Sequence, residues 1–124
     1  MKIQESAENY LETILIINKR NGFCRSIDIA NELGYSKPSV SVAMKNLREN
    51  GYIDVMGDGS LVLLPPGMEI AEKLYERHTM LTEFLKALGV AEDIASEDAC
   101  RIEHVLSEES ISAIASELEK IRRK

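Results

Sequence analysis

The sequence has no tryptophan, two phenylalanines, three prolines and two cysteines in 124 residues. Two thiols, Cys24 and Cys100, exclude a disulfide framework and fit a reducing compartment. No apolar run approaches the roughly 20 residues of a membrane-spanning helix, and Met1-Lys2-Ile3-Gln4-Glu5 lacks the apolar stretch of a signal peptide. A cytoplasmic location with no membrane partner is therefore expected. A basic excess is missing too: the formal net charge is −6, which at first argues against a nucleic-acid partner. What is present, 44% hydrophobic and 29% charged residues, belongs to a folded chain of one modest domain or two small ones.

The charge is unevenly spread. Residues 1–64 hold seven Lys and Arg against eight Asp and Glu, whereas residues 65–124 hold eight against thirteen. Between Lys19 and Arg48, six cations (Lys19, Arg20, Arg25, Lys37, Lys45, Arg48) face only Asp28 and Glu32. A local positive surface in the first half suits DNA, and an acidic second half suits cations.

Helix signals run along the first half in close order. Ser6 is placed to cap a helix to about Arg20, with Leu11, Ile14, Leu15 and Ile17 inward. Ser26 is placed to cap a short second helix that Gly34 closes, and Tyr35-Ser36 form a turn. A third helix has Pro38 in its first turn, Val40, Met44 and Leu47 inward, and Ser39, Ser41, Lys45 and Arg48 on the other side. Tyr52–Val55 and Ser60–Leu64 then flank Gly57-Asp58-Gly59 as a hairpin. Helix, helix, turn, helix and hairpin make a winged helix-turn-helix over residues 1–64, whose third helix enters the major groove. Ser36, Lys37, Pro38 and Ser39 at the start of that helix, with Arg25, Ser41, Lys45 and Arg48, are the candidate DNA contacts. A winged helix that only docks proteins is the alternative.

Residues 65–124 read as all-helical. Pro65-Pro66-Gly67 breaks the strand before a long helix from about Met68 to Leu88, whose stripe includes Leu74, His78, Leu81 and Leu85. Asp93–Val105 and a helix beginning near Ser107 follow. Within the former, Cys100, Glu103 and His104 stand at i, i+3 and i+4, so one helix face offers a thiolate, a carboxylate and an imidazole to a divalent metal. Further donors would come from His78 and from Glu12 and Asn9, which share a face of the first helix; Asn9 can ligate only weakly, through its amide oxygen. A buried Cys, a solvated Glu, a surface His and a core His78 are the plainer reading of the same residues. Met80, Leu81, Phe84, Leu85, Ile111, Ile114 and Leu118 exceed what so small a helical layer easily buries alone, which points to a homodimer, with a monomer of very small core as the alternative.

At this point the chain resembles the diphtheria toxin repressor and manganese transport regulator family of metal-dependent repressors. The resemblance rests on Ser6–Ile14 (SAENYLETI), Ser36–Ser41 (SKPSVS), Arg77-His78 and Asp98–Ser107 (DACRIEHVLS). It implies a metal-activated repressor that binds a palindromic operator as a homodimer, with no small-molecule substrate and no enzymatic activity. It also implies Fe(II) or Mn(II) as the metal, with Zn(II), Co(II) or Ni(II) able to bind in vitro. Metal ligands would fall at His78, Cys100, Glu103, His104 and Glu12, while Asn9 departs from both branches of the family. Thr82 and Ser96 stand where an accessory metal site has an acid and a histidine. A chain ending at Lys124 would be the short form without an SH3-like domain. The competing readings are a winged-helix regulator switched by a non-metal effector and a small metalloenzyme; the latter would require an open coordination position and a general base that no residue pair supplies.

Overall fold

A computed structural model describes residues 5–123; the opening residues 1–4, read above as no signal peptide, and Lys124 lie outside the described residues. The elements run α1 (Glu5–Asn21), α2 (Ser26–Leu33), α3 (Lys37–Glu49), β1 (Ile53–Val55), β2 (Leu61–Leu63), α4 (Pro65–Ala87), α5 (Glu92–Ile102) and α6 (Glu108–Arg122). They form two compact units, the first ending at Glu72 and the second beginning at Lys73. Among the described residues no helix is long and apolar enough to cross a membrane.

In the first unit the apolar faces of α1, α2 and α3 and the two strands make one core. Leu11, Ile14, Ile17, Ile29, Val40 and Ile53 are essentially sealed from solvent. On α1 Leu11, Ile14 and Leu15 are buried at three- and four-residue steps, and Glu12, Thr13 and Ile17 are buried as well, so the helix is covered on more than one face. Helix α1 already includes Glu5, so Ser6 lies inside it and is not its cap. The cap of α2 is Arg25 rather than Ser26: Asp28 reaches back and accepts the Arg25 backbone N–H at 2.9 Å, which shifts the boundary by one residue. Gly34 ends α2 in the left-handed conformation (φ 71°), which only glycine adopts without strain, and aims the chain into α3. Ser36 is the cap of α3 and accepts the Ser39 backbone N–H at 3.3 Å, with Pro38 in the first turn as expected.

Strands β1 and β2 pair antiparallel, with Ile53 opposite Leu63 and Val55 opposite Leu61. The Leu61 N–H also donates to the Cys24 carbonyl at 2.7 Å, tying the hairpin to the start of α2. Burial pushes the Cys24 thiol up to about 12, with Asp28 adding to the shift. Helix α4 starts at Pro65, three residues before the position expected from sequence. Pro65-Pro66 reads as a breaker, yet the first turn of a helix has no intrahelical partner for its N–H groups, so two prolines remove nothing there. The first bond of the turn, from the Met68 N–H to the Leu64 carbonyl, is 2.8 Å. Gly67 sits in this turn against Tyr52: a Cβ placed there would fall inside the contact radius of the Tyr52 carbonyl oxygen and touch Leu11.

In the second unit, Leu81, Ala95, Ala99 and Leu118 are buried. Helix α6 begins as its sequence indicates, with Ser107 accepting the Ser110 N–H at 3.1 Å. Helix α5 ends at Ile102, three residues earlier than expected, and leaves Glu103 and His104 in a turn.

Candidate metal centre

The turn after α5 is held from outside. Arg77, on α4 and only 11% exposed, donates through Nη1 to the carbonyls of Glu103 (3.0 Å) and Leu106 (3.1 Å). Its Nη2 meets the Glu108 carboxylate at 2.8 Å, in the first turn of α6. Lys73 and then Arg77 hold the Glu108 carboxyl below its ordinary range, so this clamp stays charged in mildly acid solution. One guanidinium thus fixes the end of α5, the turn and the start of α6. The carbonyls it takes belong to the C-cap residue Glu103 and to Leu106 just beyond, so a cation stands at the C-terminal end of α5, the charge that this end of a helix favours.

The clamp positions Glu103, whose side chain is fully buried. His78 Nδ1 lies 3.1 Å from Glu103 Oε2, and His104 Nε2 lies 3.5 Å from Glu103 Oε1. Each carboxylate oxygen therefore faces an imidazole. His78 is oriented on its other side as well, with Nε2 3.3 Å from the Ser96 hydroxyl. A carboxylate removed from water is stabilised by nearby positive charge. Two imidazoles around a carboxylate are a donor set that Mn(II), Fe(II) and Zn(II) all accept, so the residues present fit a divalent metal.

The other expected ligands lie on α5 and on α1. Cys100 is exposed on α5. Glu103 and His104 lie in the turn that closes α5, where Glu103 keeps a helical backbone (φ −60°, ψ −25°) and its N–H still bonds the Ala99 carbonyl at 3.0 Å. In the first unit, Glu12 is buried and Asn9 half-buried, three residues apart on α1. The Asn9 carbonyl accepts the Thr13 hydroxyl at 2.7 Å. Thr82 and Ser96 line an open cleft of about 690 Å³ with His78, Glu83, Glu92 and Asp93. The Thr82 hydroxyl donates to the His78 carbonyl at 2.7 Å, so at both positions an accessory site would find a hydroxyl in place of an acid or an imidazole.

On the first unit, Lys37, Pro38, Ser39, Ser41, Lys45 and Arg48 are all exposed along α3. Ser36 is exposed too, but its hydroxyl is engaged in capping and donates to the Ser39 Oγ at 2.8 Å. Val42, 61% exposed, and Asn46 lie on the same open side and were not picked out from sequence. The signal was available: Val42 follows Pro38 by four and Asn46 follows Ser39 by seven, which puts them on one face. A valine methyl suits a thymine methyl, and an asparagine amide suits adenine. Arg25 lies over the Phe23 ring, 5.2 Å from its centroid, and its Nε donates to the Asp58 carbonyl at 3.2 Å.

Of the apolar residues assigned to a dimer, Leu81 and Leu118 are already buried in the single chain and belong to its own core. Met80, Phe84, Leu85, Ile111 and Ile114 are half-buried, and Leu88 and Ile121 add exposed apolar surface on α6 and after α4.

Residues 2–61 match the family described as "Iron dependent repressor, N-terminal DNA binding domain", and residues 65–124 match "Iron dependent repressor, metal binding and dimerisation domain". The chain is 34% identical over 110 residues to the transcriptional regulator MntR of Salmonella typhimurium, covering 89% of this chain and 70% of that protein. It superposes on the T. acidophilum IdeR structure with a TM-score of 0.81 at 23% identity, covering 96% of this chain and 55% of that one. A structure described as a manganese-dependent transcriptional repressor in complex with manganese gives a TM-score of 0.80 at 25% identity, covering 91% and 52%. The chain spans about half the length of these solved structures. It belongs to the iron-dependent repressor family, with a winged helix-turn-helix DNA-binding domain followed by a helical metal-binding and dimerisation domain.

Proposed function

We propose that the chain is a cytoplasmic, metal-activated transcriptional repressor that binds a palindromic operator as a homodimer and serves manganese or iron homeostasis. The observation that carries this reading is the buried Glu103 carboxylate with His78 at one oxygen and His104 at the other. His78, Glu103 and His104 would hold the metal in the second unit with Cys100 as a further donor, and Glu12, with Asn9 as a weak donor, is the expected contribution of the DNA-binding unit. A bound Mn(II) or Fe(II) supplies positive charge to these carboxylates. Arg77 holds the Glu103–Leu106 turn, and Ser96 orients the His78 ring. Ser39, Val42 and Asn46 are assigned to base edges, and Lys37, Lys45 and Arg48 to phosphates. Met80, Phe84, Leu85, Ile111 and Ile114 form the face for a second copy. Winged-helix dimers read two related half-sites, so the operator has two-fold symmetry.

The test is DNA binding by the full chain with Mn(II), Fe(II), Zn(II) and a chelator in parallel, using a duplex selected from a randomised pool in Mn(II). Binding that ignores the chelator identifies a regulator switched by another effector. Glu12→Ala sharpens the test. It leaves His78, Glu103 and His104 in place and is expected to keep residual Mn(II) binding while losing the rise in DNA affinity that Mn(II) brings. Linkage requires the converse loss, so DNA no longer tightens Mn(II) binding in that variant. Undiminished coupling in Glu12→Ala would remove α1 from the switch.

A further inference from the structure

The wing has an unusual charge for a DNA-binding hairpin. From Gly51 through Glu72 the chain has no Lys or Arg, and the wing itself carries Asp54 and Asp58. Each aspartate faces an arginine of the helix-turn-helix. Arg48, in the last turn of α3, has its Nε 3.3 Å from Asp54 Oδ1. Arg25, the cap of α2, donates through Nε to the Asp58 carbonyl, with its Nη2 4.0 Å from Asp58 Oδ2. Both carboxylates are anchored by the backbone: Asp54 Oδ1 accepts the Val55 N–H at 2.8 Å and Asp58 Oδ1 accepts the Ser60 N–H at 2.9 Å. The acids are thus fixed in place, while the arginines reach them from neighbouring elements. All four side chains are about half exposed, so a phosphate can compete for each arginine.

We propose that Asp54 and Asp58 are specificity determinants that hold Arg48 and Arg25 away from the phosphate backbone and so suppress binding to non-cognate DNA. Resting on the DNA-binding reading above, this inference follows from how the two kinds of binding are driven. Non-cognate binding depends almost wholly on cations that neutralise phosphates and release counterions. Cognate binding adds base contacts, here from the open side of α3. Pairing two cations internally therefore removes a larger share of the first than of the second. Exchange of an aspartate for a phosphate becomes favourable only where base contacts already hold the helix in the groove.

The experiment uses the full chain with Mn(II) and two labelled duplexes, one of random sequence and one selected by the wild-type chain from a randomised pool. Affinities are measured across a salt series for Asp54→Asn, Asp58→Asn, the double variant, Lys45→Ala and Arg48→Ala/Asp54→Asn. Each Asn variant is expected to bind the random duplex about two- to fivefold tighter, the range of an exposed ion pair, with a smaller gain on the selected one. The salt slope on the random duplex should steepen by about 0.9 per freed arginine. Arg48→Ala/Asp54→Asn should lose both gains. Unchanged or weaker binding by the Asn variants overturns the proposal, as does a gain that survives removal of Arg48, because the aspartate would then act by repulsion alone. Lys45→Ala separates this failure from failure of the DNA-binding face itself: it should flatten the slope by about 0.9 whatever the aspartates do.

Discussion

Replacing Glu103 by Gln is expected to lower Mn(II) affinity more than about a hundredfold, because even residues that only orient ligands typically cost 10–100-fold. The amide keeps the shape of the side chain and removes its charge. The metal-free protein should respond in the opposite direction. Glu103 is a fully buried carboxylate, so its charge is held away from water at a cost, and Gln removes that charge at nearly constant volume. The paired signature is thus a metal-free chain that melts no lower than wild type and gains almost nothing on adding Mn(II). Calorimetric titration and thermal melting with and without metal measure both halves. Cys100→Ser is the comparison: the exposed thiol should matter less than the buried acid. Glu103→Gln with wild-type Mn(II) affinity would remove the second unit from the metal site.

Gly67→Ala is expected to destabilise the first unit by about 2–3 kcal/mol, the upper part of the range for overpacking a well-packed core. Helix propensity alone predicts the reverse, since Ala is better than Gly inside a helix by about 1 kcal/mol. Packing decides the sign. The new methyl would meet the Tyr52 carbonyl, which already accepts the Leu64 N–H at 3.0 Å and cannot retreat without breaking that bond. Gly57 has open space around it and no positive φ, so Gly57→Ala should stay within about 0.5 kcal/mol of wild type. Denaturant titration of both variants is the measurement. A stabilised Gly67→Ala would mean that the start of α4 shifts freely past the hairpin.

What sequence reveals here is local. Ser107 and Pro38 mark helix starts by their own chemistry, and the Gly-Asp-Gly between two aliphatic runs marks the wing. Errors arise where a local signal has two meanings or where the deciding partner is distant. Pro65-Pro66 signals both a broken strand and a helix start, and only the packing of Gly67 on Tyr52 selects the second. The Cys-Arg-Ile-Glu-His stretch keeps a helical rhythm beyond the real end of α5. Arg77, which takes the carbonyls of that end, is 26 residues away from Glu103. The identity of His78, Glu103 and His104 as neighbours was readable, because their residue types are unusual among apolar helix positions. The engagement of Arg25 and Arg48 by the wing was not, because a cation in sequence shows its charge and not its partner.

The two thiols have separate chemical fates as a result of where they lie. Cys24 is sealed in the core with its thiol pushed up to about 12, so at neutral pH almost none of it is the nucleophilic thiolate. Alkylating reagents applied to the folded protein meet Cys100 alone, and Cys24 becomes visible to them only when the first unit opens. One chain therefore carries a surface handle and an internal reporter of unfolding, distinguishable by mass without any engineered label. The same burial sets an alkaline limit. The folded state favours the protonated thiol of Cys24, so its contribution is intact below the ordinary value of 9.0 and is lost as pH rises from there towards 12.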